Sequence, residues 1–338
     1  METNNKPLLE MENFHIYFRD RKKRLPAVSG VNMTIHPGEI VGVVGESGSG
    51  KSVMSQSILR LREHEADVEY EGSVVFEGQE ILKLPLAQMQ SIRGNRISVI
   101  FQDPLTSLNP VLTVGKQMEE VLILHKKMSR QDARARSTEL LRLTGVPYPE
   151  RCVRQYPYEL SGGMQQRVMI SMALACEPSL LIADEPTTAL DVTIQNQILR
   201  LLSELNQKLG MAILLITHDL SVMAQICHSV RVMYLGQIVE EAKTEELFDN
   251  PMHPYTQGLL DCIPHLDVDR EKPLHVITGT VPPLSQIPVG CHFCTRCPYA
   301  TEQCRKNEPP AVEISPGHRV KCWNPRMGNE KKREENAI

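Results

Sequence analysis

The stretch Gly45-Glu46-Ser47-Gly48-Ser49-Gly50-Lys51-Ser52 matches the G-x-x-x-x-G-K-[ST] pattern of a phosphate-binding loop. Its flanks have the composition such a loop requires. Ahead of it, Glu39-Ile40-Val41-Gly42-Val43-Val44 is a short apolar run rich in β-branched residues, as in a buried parallel strand; behind it, residues 52–61 read as a helix. A strand that turns through glycines into a helix aims several backbone N–H groups, and the positive end of the helix dipole, at one point. The phosphates of a nucleotide suit that point, with the Lys51 ammonium reaching the β- and γ-phosphates and the Ser52 hydroxyl a ligand of Mg²⁺. The competing reading is a glycine-rich turn that only reverses the chain, and strand, loop and helix in this order argue against it.

The rest of the chain supplies a parallel-sheet framework. Residues 8–18 and 27–35 read as two strands joined by the charged turn Arg19-Asp20-Arg21-Lys22-Lys23-Arg24, a solvated hairpin tip rather than a phosphate or lipid contact. Further strands are expected around 73–76 and 97–101. From 114 to 176 the pattern turns helical, with Leu140, Leu141, Leu143, Val168, Ile170, Met172 and Leu174 at helix-like spacing and breaks at Pro147, Pro149 and Pro157. This predicts a helical subdomain of about 112–176 inserted into an α/β core, its Met164, Met169 and Met172 serving as core filler. Strands at 180–183, 212–216 and 230–234 then alternate with helices at 193–208 and 220–227, which implies a doubly wound sheet with right-handed crossovers. In the first of these helices Ile194, Ile198, Leu201, Leu202 and Leu205 share one face, as packing on a sheet demands.

With 338 residues there is room for a further region, and after Pro251 prolines cluster and periodicity fades. The expected division is a core of 1–250, a linker of 251–275 with one short helix, a small cysteine-held appendage of 276–325, and a disordered charged tail of 326–338. No run is long enough to cross a bilayer and residues 1–10 hold no apolar signal region, so a cytoplasmic chain is expected. A net charge of −4 argues against a dedicated nucleic-acid binder. Nine cysteines in a cytosolic chain are expected as thiols rather than disulfides.

Two further motifs join the loop. In Leu180-Leu181-Ile182-Ala183-Asp184-Glu185-Pro186 an apolar strand ends in two carboxylates, with Asp184 placed to hold Mg²⁺ and Glu185 to polarise an attacking water as general base. In Leu160-Ser161-Gly162-Gly163-Met164-Gln165, Ser161 reads as an N-cap and the glycines leave the helix start open to an anion. Taken together with the phosphate loop, Leu-Ser-Gly-Gly-x-Gln resembles the signature of ATP-binding-cassette ATPases, and the resemblance covers nearly the whole chain. It implies a P-loop ATPase of cassette type with a parallel core sheet, an antiparallel β subdomain, an inserted helical subdomain and the small cysteine-rich C-terminal appendage.

The resemblance assigns roles. Gln102, in Ile100-Phe101-Gln102-Asp103-Pro104, is implied as the loop glutamine that senses nucleotide, ligates Mg²⁺ and touches the permease. His218, in Ile216-Thr217-His218-Asp219, is implied as the switch histidine at the γ-phosphate, and Asp191, in Ala189-Leu190-Asp191, as part of the loop crossing a dimer interface. An aromatic of the first strand is implied to stack on adenine, with Phe18 favoured by distance to the loop and Tyr17 as its rival. Ser161, Gly162 and Gly163 are implied to complete the ATP site of a partner subunit, so that two cassettes close around two ATP molecules and move permease helices docked near Gln102.

The last cysteines, Cys291, Cys294, Cys297, Cys304 and Cys322, have spacings that suggest metal or iron–sulfur ligation, with zinc the first guess from spacing and plain buried thiols the bland alternative. With His253-Pro254-Tyr255-Thr256 ahead of them, they resemble the C-terminal region of oligopeptide and dipeptide importer ATPases. In some of those, cysteines matching Cys291, Cys297, Cys304 and Cys322 hold a [4Fe–4S] cluster; Cys294 departs from that pattern and leaves another ligand set, or zinc, open. The resemblance implies a peripheral protein at the cytoplasmic face of the membrane. Its implied partners are a second, similar ATPase in a heterodimer, two transmembrane permease subunits and, indirectly, an extracellular substrate-binding protein. Peptide is the first cargo reading and nickel or a metallophore the second. A soluble cassette ATPase acting on nucleic acid or ribosomes is the rival class. It usually calls for paired cassettes, long coiled-coil insertions or basic arms, whereas this sequence has one phosphate loop, no heptad repeat and a net negative charge. A third reading makes the cysteines a redox sensor of transport.

Overall fold

The computed structural model describes residues 6–20, 23–63, 67–188, 190–263 and 276–325. The expected tail of 326–338, the linker from 264 to 275, Arg21-Lys22 of the charged turn and Ala189 lie outside the described residues. Among the described residues no helix is long and apolar enough to cross a membrane. The described residues fall into two compact units, one within 1–9, 35–40 and 75–216, the other within 10–34, 41–74 and 217–338.

The first unit is built on three parallel strands, Ile97–Ile100, Leu180–Asp184 and Ala212–Thr217, with Ile97 opposite Leu180 and Leu180 opposite Ala212. Leu180–Asp184 lies in the middle and all five of its residues are buried, which is why its sequence is a continuous apolar run rather than an alternating one. The expected helical subdomain appears as the helices Val114–Lys126, Arg130–Leu143 and Gly162–Ala173, which pack on one another. The helix Val192–Leu209 starts at the Asp191 cap and stops at Gly210, whose φ of 65° is a left-handed conformation that glycine adopts at little cost. Its buried face is Ile198, Leu199, Leu202, Leu205 and Asn206. Leu201 is only half-buried, so the stripe lies one position away from part of the expected one.

The second unit carries the phosphate-loop strand Ile40–Val44, parallel to Ser229–Tyr234 with Val41 opposite Ser229. Antiparallel strands extend this sheet: Gln237–Lys243 pairs with Ser229–Tyr234, His318–Lys321 pairs with Gln237–Lys243, and Ala311–Ser315 forms the edge. The C-terminal hairpin thus continues a sheet rather than folding apart from it. The helix Pro254–Asp261, inside the stretch expected as a linker, buries Tyr255 completely. Leu9–Asp20 and Lys23–Ile35 form the expected hairpin, and Val68–Phe76 pairs on the other side of Leu9–Asp20.

Gln237–Lys243 escaped the sequence reading because Glu240-Glu241 looks solvated. Glu240 is in fact 1% exposed. Its carboxylate accepts from the N–H groups of Met252 (2.6 Å) and His253 (2.9 Å) and meets His318 Nε2 at 2.8 Å, while His318 Nδ1 lies 3.2 Å from Glu246. The hydrogen bond to Glu240 raises the His318 pKa above the ordinary imidazole value, against the opposing effect of burial. Breaking a buried pair of this kind costs about 3 kcal/mol, so His318→Ala is expected to lower stability by roughly that amount in urea unfolding at pH 6. A group whose folded pKa is raised stabilises fully below its unfolded value and less as pH climbs through the folded value. The gap between wild type and variant should therefore narrow above pH 7; a gap constant to pH 9 would assign the loss to packing alone.

Candidate active site

In the second unit the loop from Gly45 to Ser52 folds as its sequence requires. A Cβ on Gly45 would lie 2.1 Å from the carbonyl oxygen of Met233, so no larger residue fits there. Gly50 has φ of 100° and is the cap of the helix Lys51–Ile58, whose first turn holds no acidic residue to compete for an anion. Lys51 is buried, and its ammonium donates to the carbonyl oxygens of Gly45 (2.7 Å) and Glu46 (2.9 Å). Those carbonyls hold the cation over the loop, where a β- or γ-phosphate oxygen would become its further acceptor.

The first unit holds the carboxylates. Asp184 is buried at the carboxyl end of its strand. Glu185 follows at φ 47°, a left-handed conformation that costs a non-glycine residue about 1 kcal/mol or more and that concentrates at functional positions. Gln102 Nε2 donates to Glu185 Oε2 at 2.8 Å, and Thr188 Oγ1 donates to the same oxygen at 2.9 Å. Two residues selected from motifs 83 positions apart are therefore in direct contact. The side chain of Glu185 is thus held by donors from two different segments.

Ser161 caps the helix Gly162–Ala173, accepting from the N–H of Met164, and Ser161 and Gly162 are exposed. A Cβ on Gly163 would come 3.1 Å from Ile194 Cγ2. Asp191 is exposed too and caps its own helix through the N–H of Ile194 at 3.0 Å. In the second unit His218 is exposed after its strand, in a cleft lined also by Asp219, Leu220, Ser221, Leu259 and Cys262. Of the two aromatic candidates, Tyr17 has its ring covered by the Arg24 guanidinium at 4.0 Å and stacks on His15. Phe18 is half-buried, with the Arg62 guanidinium 5.7 Å from its ring centre.

The five late cysteines line one pocket with His253, Phe293, Tyr299 and Trp323. Burial, reinforced by the neighbouring thiols, pushes the pKa of Cys291, Cys297 and Cys322 up to about 11. Among the described residues no group of three or more His, Cys, Asp or Glu side chains converges closely enough to hold a metal ion. The metal site expected at Cys291, Cys297, Cys304 and Cys322 is thus a shared pocket of thiols, without the tight tetrahedral arrangement that zinc takes.

One pairing had no counterpart in the sequence reading. Arg296 donates Nη1 to Glu46 Oε2 at 2.6 Å and Nη2 to Glu46 Oε1 at 3.0 Å, so the cysteine segment grips the phosphate loop. The two residues are 250 positions apart and no spacing rule links them. Tyr255 adds its hydroxyl as acceptor for the Glu46 N–H at 2.8 Å.

A glycine loop closing on a buried lysine, with a strand ending in acids, defines a P-loop nucleotide-binding protein. Comparison with known proteins narrows this class. The ABC transporter family model matches residues 28–188, and the model for the oligopeptide/dipeptide transporter C-terminal region matches residues 239–304. The chain is 49% identical over 316 residues to the oligopeptide transport ATP-binding protein AppD of Bacillus subtilis, covering 94% of this chain and 96% of the relative. It is 47% identical over 317 residues to the oligopeptide transport ATP-binding protein OppD of Haemophilus influenzae, covering 94% of this chain and 97% of the relative. Among solved structures, a dimeric post-hydrolysis state of an ATP-binding cassette bound to ADP and Pi superposes with a TM-score of 0.63 at 32% identity, over 70% of this chain and 98% of that one. The chain belongs to the ABC transporter family, among its ATP-binding subunits. It is an ATPase coupled to transport.

Proposed function

We propose that this chain is the ATP-hydrolysing subunit that powers a binding-protein-dependent importer of di- and oligopeptides, working at the cytoplasmic face of the membrane. The observation that carries the cargo is the match of residues 239–304 to the oligopeptide/dipeptide transporter C-terminal region, joined to near full-length similarity to ATP-binding proteins named for oligopeptide and dipeptide transport. ATP would bind with its phosphates on residues 45–52, its charge met by Lys51, and with Mg²⁺ held by Ser52, Asp184 and Gln102. Glu185, steadied by Gln102 and Thr188, would take a proton from the attacking water, and His218 would meet the γ-phosphate. Phe18, whose ring centre lies 5.7 Å from the Arg62 guanidinium against 4.0 Å between Tyr17 and Arg24, would stack on adenine. The exposed Ser161, Gly162 and Asp191 suit contact with a second cassette subunit, in a heterodimer that drives two permease subunits fed by an extracellular binding protein.

Uptake of labelled dipeptides and pentapeptides by cells lacking this chain tests the cargo. Loss of peptide uptake with nickel uptake intact is expected; loss of nickel uptake alone would move the chain to the metal branch. The cysteine-rich region is proposed to hold a [4Fe–4S] cluster on Cys291, Cys297, Cys304 and Cys322, a reading supported by the gathering of these four thiols around one pocket. Such a cluster would act there as a covalent cross-link of the C-terminal region. Anaerobic purification is expected to give a brown protein with about four irons and four sulfides per chain. Stoichiometric zinc without iron would replace the cluster by a zinc module, and neither metal would leave plain thiols.

A further inference from the structure

The grip of Arg296 on the phosphate loop uses every donor the side chain has. Nε donates to the carbonyl oxygen of Thr278 (3.0 Å), Nη2 to that of Ile277 (3.3 Å), and Nη1 approaches the Tyr234 hydroxyl (3.5 Å), in addition to the two-pronged pair with Glu46. The guanidinium side chain is 3% exposed. A planar fork buried on a carboxylate is a directional contact that a lysine reproduces only in part. Glu46 is in turn held at its carboxylate by Arg296, at its N–H by Tyr255 and at its carbonyl oxygen by the Lys51 ammonium. The loop lysine and Arg296 thus share one residue as their anchor.

The other end of Arg296 belongs to the thiol pocket. Its backbone N–H and that of Cys297 both donate to the carbonyl oxygen of Phe293, and the N–H of Cys294 donates to that of Cys291, which makes 291–297 one tight turn. Phe293 packs against Tyr255 and Tyr234, with ring centres 5.2 Å from each. Any rearrangement of the turn that carries Cys291, Cys294 and Cys297 therefore carries Arg296 with it. From this geometry we propose that Arg296 is a positioning residue for the phosphate loop and ties ATP affinity to the integrity of the cysteine-lined pocket. The proposal rests on the nucleotide-binding reading of residues 45–52.

The test is titration of the full-length chain with a fluorescent ATP analogue, alongside thermal melting to confirm folding. Arg296→Met is expected to raise Kd about tenfold, the loss of a charge-assisted pair, and Arg296→Lys to recover part of that loss. Cys297→Ser is expected to weaken binding several-fold, yet the double variant should bind no worse than Arg296→Met alone, because both changes act through one contact. Where Cys297→Ser does not fold, alkylation of the thiols before titration replaces it, weakening wild type and leaving Arg296→Met unchanged. Lys51→Ala reports on the loop itself: its failure to bind, beside wild-type affinity in folded Arg296→Met, overturns the positioning role and leaves the loop assignment intact. Losses that multiply in the double variant, or in alkylated Arg296→Met, overturn the tie to the cysteines. Binding retained by Lys51→Ala would instead remove the nucleotide reading on which the proposal stands.

Discussion

Replacing Glu185 with glutamine is expected to slow ATP hydrolysis about a thousandfold while ATP still binds, since a positioned general base accounts for rate factors of this order. The geometry makes this substitution cleaner than most. Glu185 Oε2 accepts from Gln102 Nε2 and Thr188 Oγ1, and a glutamine carbonyl can accept from both, so these two hydrogen bonds survive while the carboxylate's basicity is lost. The backbone N–H of Glu185 donates to the carbonyl oxygen of Ile216, a contact that does not depend on the side chain. Its left-handed φ of 47° is likewise unchanged by glutamine, whereas Glu185→Gly would relieve strain and remove the carboxylate together. Phosphate release measured on the chain purified with its permease checks the rate, and ATP retained on the stalled complex checks binding. Hydrolysis at the wild-type rate would sink the role given to Glu185.

Lys51→Ala is expected to weaken ATP binding by about a hundredfold or more, because it removes a charge-assisted donor from a phosphate in a buried site. The fold should tolerate the change. The Lys51 ammonium donates to the loop carbonyls of Gly45 and Glu46 and approaches the Ser49 hydroxyl, contacts within the loop itself. Equilibrium titration with an ATP analogue is the measurement, and wild-type affinity in a folded variant would contradict the phosphate-loop assignment. The two variants separate binding from chemistry: Glu185→Gln should bind and stall, while Lys51→Ala should fail before chemistry begins.

Features written within a few residues of sequence were legible. The phosphate loop shows itself because glycine is needed where a Cβ on Gly45 would strike Met233 and where Gly50 turns to positive φ. The buried strands Ile40–Val44 and Leu180–Asp184 show themselves because both faces are covered, and the caps Ser161 and Asp191 because a side-chain oxygen there satisfies a free N–H. The roles proposed for Gln102, His218 and Ser161 rest on resemblance to a family rather than on local chemistry.

Contacts between distant residues left no such trace. Glu240 looks solvated in sequence and is buried because His318 and two backbone N–H groups, supplied from other parts of the chain, neutralise and bind its carboxylate. A charge can be placed in a core when its partners arrive by folding, and no periodicity records that arrangement. The same holds for Arg296. It reads as a charge beside a cysteine, and only the folded chain sets it on Glu46. Local propensity and pattern thus carry the strands, the glycine loop and the caps. Which buried charges pair, and that the cysteine segment leans on the nucleotide loop, are settled by packing across hundreds of residues, since the energy of such pairs exists only once both partners have left water together.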